Sequence, residues 1–205
     1  MAAAAGFAGR PPTCYNLHMF NGTPEAENKF RAAALTQLGI DLYDTGRFEA
    51  GLAAFRRALA LGPGRVRALR GMALCLSQLG RAAEGLAYAE KAVELAREPG
   101  LAYATLGLVL HRLGRDDEAE KAFDLGVKNT PDDYRVYYNF ACYWAERGNE
   151  AACRNYLGLT LELAPVAFAS QPAKDPDLAR YSRREWFTEL LAAHKTRAAT
   201  WEPKD

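Results

Sequence analysis

Glycine recurs in this chain at a fixed interval. Gly46, Gly80, Gly114 and Gly148 stand 34 residues apart, and other positions keep the same step: Gly39, Ala73, Gly107 and Ala141; Leu38, Met72, Leu106 and Phe140; Leu35, Leu69, Tyr103 and Tyr137; Phe55, Ala89, Phe123 and Leu157. A period of this length marks a repeat architecture, in which each unit buries its apolar face only by stacking on its neighbours. Pro63, Pro131 and Pro165 stand at three of the unit ends, and Arg97 takes the fourth place. Four units result, running 32–65, 66–99, 100–133 and 134–167.

The first half of each unit carries apolar or small residues at i, i+3, i+4 and i+7, as in Leu69, Met72, Ala73 and Leu76, which is one face of a helix. The recurring Gly then ends that helix, because it adopts a positive φ without a Cβ penalty. A second helix follows with its own stripe, for example Ala119, Ala122, Phe123 and Gly126. Thr130-Pro131 reads as the cap and first position of the next helix. Small residues at 39, 73, 107 and 141, and at Gly51, Gly85, Ala119 and Cys153, predict close approach of the paired helices, since Gly inside a helix costs about 1 kcal/mol against Ala and needs a packing reason.

Upstream, residues 1–22 read as an irregular tail with Gly, Pro11-Pro12 and Asn21-Gly22. Its aromatics Phe7, Tyr15 and Phe20 either fold back on the array or lie in a groove of it. Thr23-Pro24-Glu25 reads as a helix start, extending the first helix back to about residue 24, with Phe30 and Ala34 continuing its apolar face. After Pro165 the 34-residue pattern fails. Asp175-Pro176-Asp177-Leu178 begins a short helix, and Ser182-x-x-Glu185 spells a capping box for another, bearing Trp186, Phe187, Leu190, Leu191 and His194. A stack needs its exposed end covered. Residues 168–197 are therefore read as capping helices and 198–205 as a tail; the alternative is a self-association patch at Trp186 and Phe187.

The third unit, with Tyr103-x-x-Leu106-Gly107-x-x-Leu110 followed by Gly114, Ala119, Phe123 and Pro131, resembles the tetratricopeptide repeat family. The match spans residues 32–167. The second unit departs from the pattern at Ala89 and Arg97, and the fourth at Cys153, Leu157 and Thr160. The resemblance implies an all-α, right-handed superhelical solenoid of four helix-turn-helix repeats within residues 23–167, with an N-terminal extension and C-terminal capping helices. It also implies that the first helices line a concave groove, and that such proteins bind peptides or protein surfaces and rarely catalyse.

Carried over residue by residue, the family's groove-facing places give Thr36, Ile40 and Tyr43 in the first unit, Arg67, Arg70, Leu74 and Gln78 in the second, Leu108, His111 and Arg112 in the third, and Arg135, Tyr138 and Cys142 in the fourth, with Asn139 at the rim. Ile40, Leu74 and Leu108 make an apolar floor. Arg67, Arg70, Arg112 and Arg135 outnumber Asp44 and Glu146, and an Arg holds a carboxylate bidentately, so an acidic, partly apolar peptide is one reading. The other is a solvated face whose arginines pair with Asp44 or Glu146. The Lys and Asn that carboxylate-clamp members use at the fifth and ninth places are absent.

The remaining features narrow the class. With 26 Lys+Arg against 25 Asp+Glu the net charge is +1, without the basic excess that a nucleic-acid backbone requires. Nothing approaches about 18 consecutive apolar residues, so no membrane span is expected. Four cysteines without a CxxC pair provide no disulfide framework. Cys14 and His18 stand four apart but lack a second ligand pair for zinc. No acid or nucleophile is placed by sequence beside His111, and Cys142 reads as a buried thiol. The expectation is a cytoplasmic adaptor or chaperone-like binding module for a protein or peptide, without cofactor or catalysis, monomeric or weakly self-associating; the alternative is a self-assembling scaffold joined through its terminal helices.

Overall fold

Each 34-residue unit folds as two helices that pack along one another. The structure, a computed structural model, describes residues 23–199; the expectations for the tail 1–22, Cys14 and His18 included, and for the last residues lie outside these. The units are α1 (Pro24–Asp44) with α2 (Phe48–Leu61), α3 (Val66–Gln78) with α4 (Ala82–Leu95), α5 (Gly100–Arg112) with α6 (Asp116–Asn129), and α7 (Tyr134–Glu146) with α8 (Glu150–Leu163). Three 3₁₀ turns follow, Val166–Ser170, Pro172–Lys174 and Pro176–Tyr181, and then α9 (Glu185–Ala199). The whole is an all-α right-handed solenoid with a C-terminal cap.

The turn inside every unit is the same. Gly46, Gly80, Gly114 and Gly148 have φ of 73°, 74°, 73° and 73°. In the first unit Arg47 N donates to Leu42 O at 2.8 Å and Gly46 N to Tyr43 O at 2.9 Å. This pair of bonds satisfies helix-end carbonyls and requires a left-handed residue.

Small residues meet where the helices cross. A Cβ at Gly51 would stand 3.2 Å from Gly39 O, and one at Gly85 3.0 Å from Ala73 O. The large rings wedge beside these crossings: Phe55 is 1 % and Phe123 0 % exposed, and Phe123 stacks on Phe140 with centroids 4.5 Å apart. Leu38, on the repeating stripe, is 47 % exposed and Phe30 69 %; among the described residues α1 is the first element.

Helix starts differ from expectation in two places. Thr130 closes α6 rather than opening α7; Asp133 caps α7, accepting from Arg135 N at 3.0 Å. Ser182 ends a 3₁₀ turn and donates to Ala179 O at 2.8 Å instead of capping α9.

The period also runs further than the sequence suggested. Adding 34 to Cys153, Leu157 and Thr160 reaches Phe187, Leu191 and His194, and all six are buried. Thus α9 lies in the register of a fifth second helix, while the 3₁₀ segment 166–181 takes the place of a fifth first helix. Trp186 and Phe187 join Leu157, Leu161, Leu178 and Tyr181 in one apolar cluster. Trp186 and Phe187 thus cover the fourth helix pair, and the alternative self-association patch is internal.

Consecutive first helices touch one another (α1 with α3, α3 with α5, α5 with α7), whereas α2, α4, α6 and α8 make no comparable contact with one another. The stack therefore bends with the first helices on its inner wall.

Candidate peptide-binding groove

Side chains one unit apart meet across the inner wall, because equivalent places on adjacent first helices are neighbours. Gln78 donates to Tyr43 OH at 3.4 Å, Arg70 Nε to Thr105 Oγ1 at 3.0 Å, and Arg112 Nη2 to Glu146 Oε1 at 2.5 Å. Tyr43 packs on Phe48, with centroids 5.4 Å apart. Burial pushes its hydroxyl pKa up to about 12, against the lowering pull of Gln78. The half-buried Ile40, Leu74 and Leu108 lie on this wall, with the hydroxyl of Ser77, buried and without a hydrogen-bond partner, one turn from Leu74.

Arg70 sits in the second unit's wall with only its Nε engaged, so both terminal amino groups lack a protein partner among the described residues. Burial lowers its pKa to about 10, and the like charges of Arg135 and Arg67 add to the effect while Asp133 opposes it. A cation held in a drying environment beside other cations gains strongly from an anion. Arg67, exposed, reaches Gln37 at 3.4 Å.

Several expected groove residues are already engaged. Thr36 is 5 % exposed and donates to Ala32 O at 2.7 Å, so it does not face a ligand. Arg135 is held by both oxygens of Asp133, at 2.8 and 2.7 Å. Asp133 titrates below the ordinary range: burial alone would raise it, but the Arg135 bonds prevail. His111 lies between two carboxylates, Nδ1 at 2.6 Å from Asp116 and Nε2 at 3.1 Å from Glu146, so sequence reasoning missed its acidic neighbours. Asp116 comes from the next helix and Glu146 from the next unit; Glu146 stands 34 residues after Arg112, a signal that the repeat register did contain. Arg147 adds a further ion pair to Asp116.

The fourth unit's part of the wall is covered by the chain itself. Tyr138 donates to Asp175 Oδ2 at 2.5 Å and meets Phe168 edge-on with centroids 5.0 Å apart. Cys142 is 5 % exposed, and burial raises its thiol well above its ordinary pKa. Asn139 is half-buried, and Gln78 exposed. What the described residues leave open is a strip over the first three units: Ile40, Leu74 and Leu108 flanked by Arg67, Arg70 and Gln78.

A tetratricopeptide repeat family model matches residues 36–100 and 78–134, the same helix pairs that build this wall. Residues 36–134 belong to the tetratricopeptide repeat family. Among solved structures, this repeat protein resembles TTC0263, described as a thermophilic TPR protein of Thermus thermophilus. That match has 21 % identity and a TM-score of 0.60, over 85 % of this chain and 93 % of that one. It also resembles Pseudomonas aeruginosa pilF, with 18 % identity and a TM-score of 0.54, over 88 % of this chain and 80 % of the other. At these identities the likeness is one of fold. No curated protein matches the chain. Among the described residues of the repeat protein, no helix is long and apolar enough to cross a membrane. The fold is one that generally serves protein–protein interaction.

Proposed function

We propose that this repeat protein is an interaction module that holds an extended peptide segment along the inner wall of its first three units. Apolar side chains of the segment rest on Ile40, Leu74 and Leu108, and a carboxylate pairs with Arg70. The observation that carries this reading is Arg70: its side chain is half-buried, flanked by like charge, and has two amino groups without a partner among the described residues. A carboxylate supplies the bidentate acceptor that such a group lacks. Binding, rather than turnover, fits the surrounding chemistry. Both nitrogens of His111 face carboxylates, and the Cys142 thiol is buried and held protonated.

The test selects peptides from a random displayed library against the full chain, then measures affinity for the enriched, labelled peptides by fluorescence anisotropy. Enriched sequences should combine an acidic residue with apolar neighbours. Arg70→Ala and Leu74→Asp should each weaken binding at least about tenfold, roughly 1.4 kcal/mol, without altering the helical circular-dichroism signal. Affinity indifferent to both substitutions would refute the reading.

A further inference from the structure

Where the 3₁₀ segment crosses α7, three side chains of ligating chemistry converge. Cys142 Sγ and one carboxylate oxygen each from Asp175 and Asp177 lie within 4.8 Å of one another. Cys142 is 5 % exposed. Among the described residues its thiol has one hydrogen-bonding contact, Asp175 Oδ2 at 4.0 Å, which is long. The Asp177 carboxylate accepts no hydrogen bond and pairs with no cation among the described residues. Arg112, the cation that faces it, is spent on Glu146 at 2.5 Å. The wall therefore gathers a thiol and two carboxyl groups with no counter-charge of their own.

Asp175 is held as a ligand would be. Its Oδ1 accepts from Asp177 N at 2.9 Å and its Oδ2 from Tyr138 OH at 2.5 Å. Ligating carboxylates are typically fixed by such outer hydrogen bonds, which leave a lone pair for the metal.

We propose that Cys142, Asp175 and Asp177 form a binding site for a divalent transition-metal ion, with zinc the best fit. A thiolate excludes the hard cations magnesium and calcium, whereas zinc takes sulfur and oxygen donors together. Tetrahedral zinc places such donors roughly 3.6 Å apart, about 1 Å inside the present spread, a movement that side-chain rotation supplies. The fourth position goes to water. On binding, the Cys142 S–H bond breaks, sulfur donates its pair to the metal, and the proton leaves to solvent. The ion would pin the C-terminal segment to the fourth unit. The site is independent of the peptide reading and stands or falls separately.

The spacing explains why the sequence conceals the site. Cys142 and Asp175 are 33 residues apart, close to one repeat, so only the stacking of the 3₁₀ segment on α7 brings them together.

The experiment titrates the full, metal-stripped chain with cobalt(II) and follows the thiolate-to-cobalt charge-transfer absorption together with proton release. A saturable band at one equivalent, displaced by zinc, is expected for the wild type and for Cys14→Ser, which removes the separate Cys14–His18 pair. The band should be absent in Cys142→Ser. The Asp177 carboxylate makes no bond to the described residues that the fold requires, so Asp177→Asn should remain folded and bind at least tenfold more weakly, which keeps the test valid if Cys142→Ser fails to fold. No charge-transfer band in the wild type, or one undiminished in Cys142→Ser or Asp177→Asn, overturns the proposal.

Discussion

A methyl group added at residue 107 would stand 2.8 Å from Phe123 Cε2, against a ring that is fully buried. The same methyl on Gly158, in the middle of α8, meets nothing within 4 Å. Both glycines are helical, so helix propensity favours alanine at each by about 1 kcal/mol, and only the first opposes it with an overpacking cost of about 1–3 kcal/mol. Gly158→Ala should therefore raise the thermal midpoint and Gly107→Ala lower it, with Phe123→Leu recovering part of the second loss. Melting curves that move in the same direction would show that helix approach does not set these positions. Tyr43 makes a second prediction at this scale. Its folded pKa of about 12 exceeds the ordinary 10.0, so the stability it contributes is fully present below pH 10 and is lost as pH rises through 12. The difference is of the order of 2–3 kcal/mol. Urea unfolding of wild type and Tyr43→Phe below pH 10 and near pH 12 should show a smaller alkaline loss in the variant, and equal losses would contradict the assignment.

Helices and turns divide into those that periodicity reveals and those that depend on contacts across the stack. The four turn glycines and the crossings at residues 39, 73, 107 and 141 were legible because backbone geometry leaves few alternatives to a small residue there. The start of α7 was not. Thr130-Pro131 and Asp133 both carry capping chemistry, and the choice fell to Asp133, whose side chain also locks Arg135. The register of the cap was hidden for a related reason. Register 51, 85, 119 and 153 holds Gly, Gly, Ala and Cys, but then Phe187. With a 3₁₀ segment in place of a first helix, no close crossing demands a small side chain, so a large one fills the space and masks the period. In the groove, the types and places of Leu74 and Arg70 were readable, since they follow from register alone. That Thr36 turns back on its own helix, or that the C-terminal segment covers Tyr138 and Cys142, depends on parts of the chain that the repeat does not describe.

Along the whole molecule each unit touches little beyond its immediate neighbours, so stability is set by the units and the interfaces between them. The two ends differ. At the start α1 leaves Leu38 47 % exposed, whereas at the far end Phe187, 1 % exposed, and Trp186, which donates to Glu150 at 2.7 Å, seal α8. Between the third and fourth units the contacts of His111 and Arg112 with Glu146, and the ion pair of Arg147 with Asp116, add a polar junction to the apolar one. Truncating a buried Phe costs about 3–5 kcal/mol, and in a one-dimensional array that loss falls first on the elements it touches. Phe187→Ala should therefore reduce amide hydrogen-exchange protection most in α9 and α8, less in α7, and not in α1 and α2, at the other end of the array. A loss spread evenly from α1 to α9 would mean that the array opens as one body, and that the interfaces outweigh the units they join.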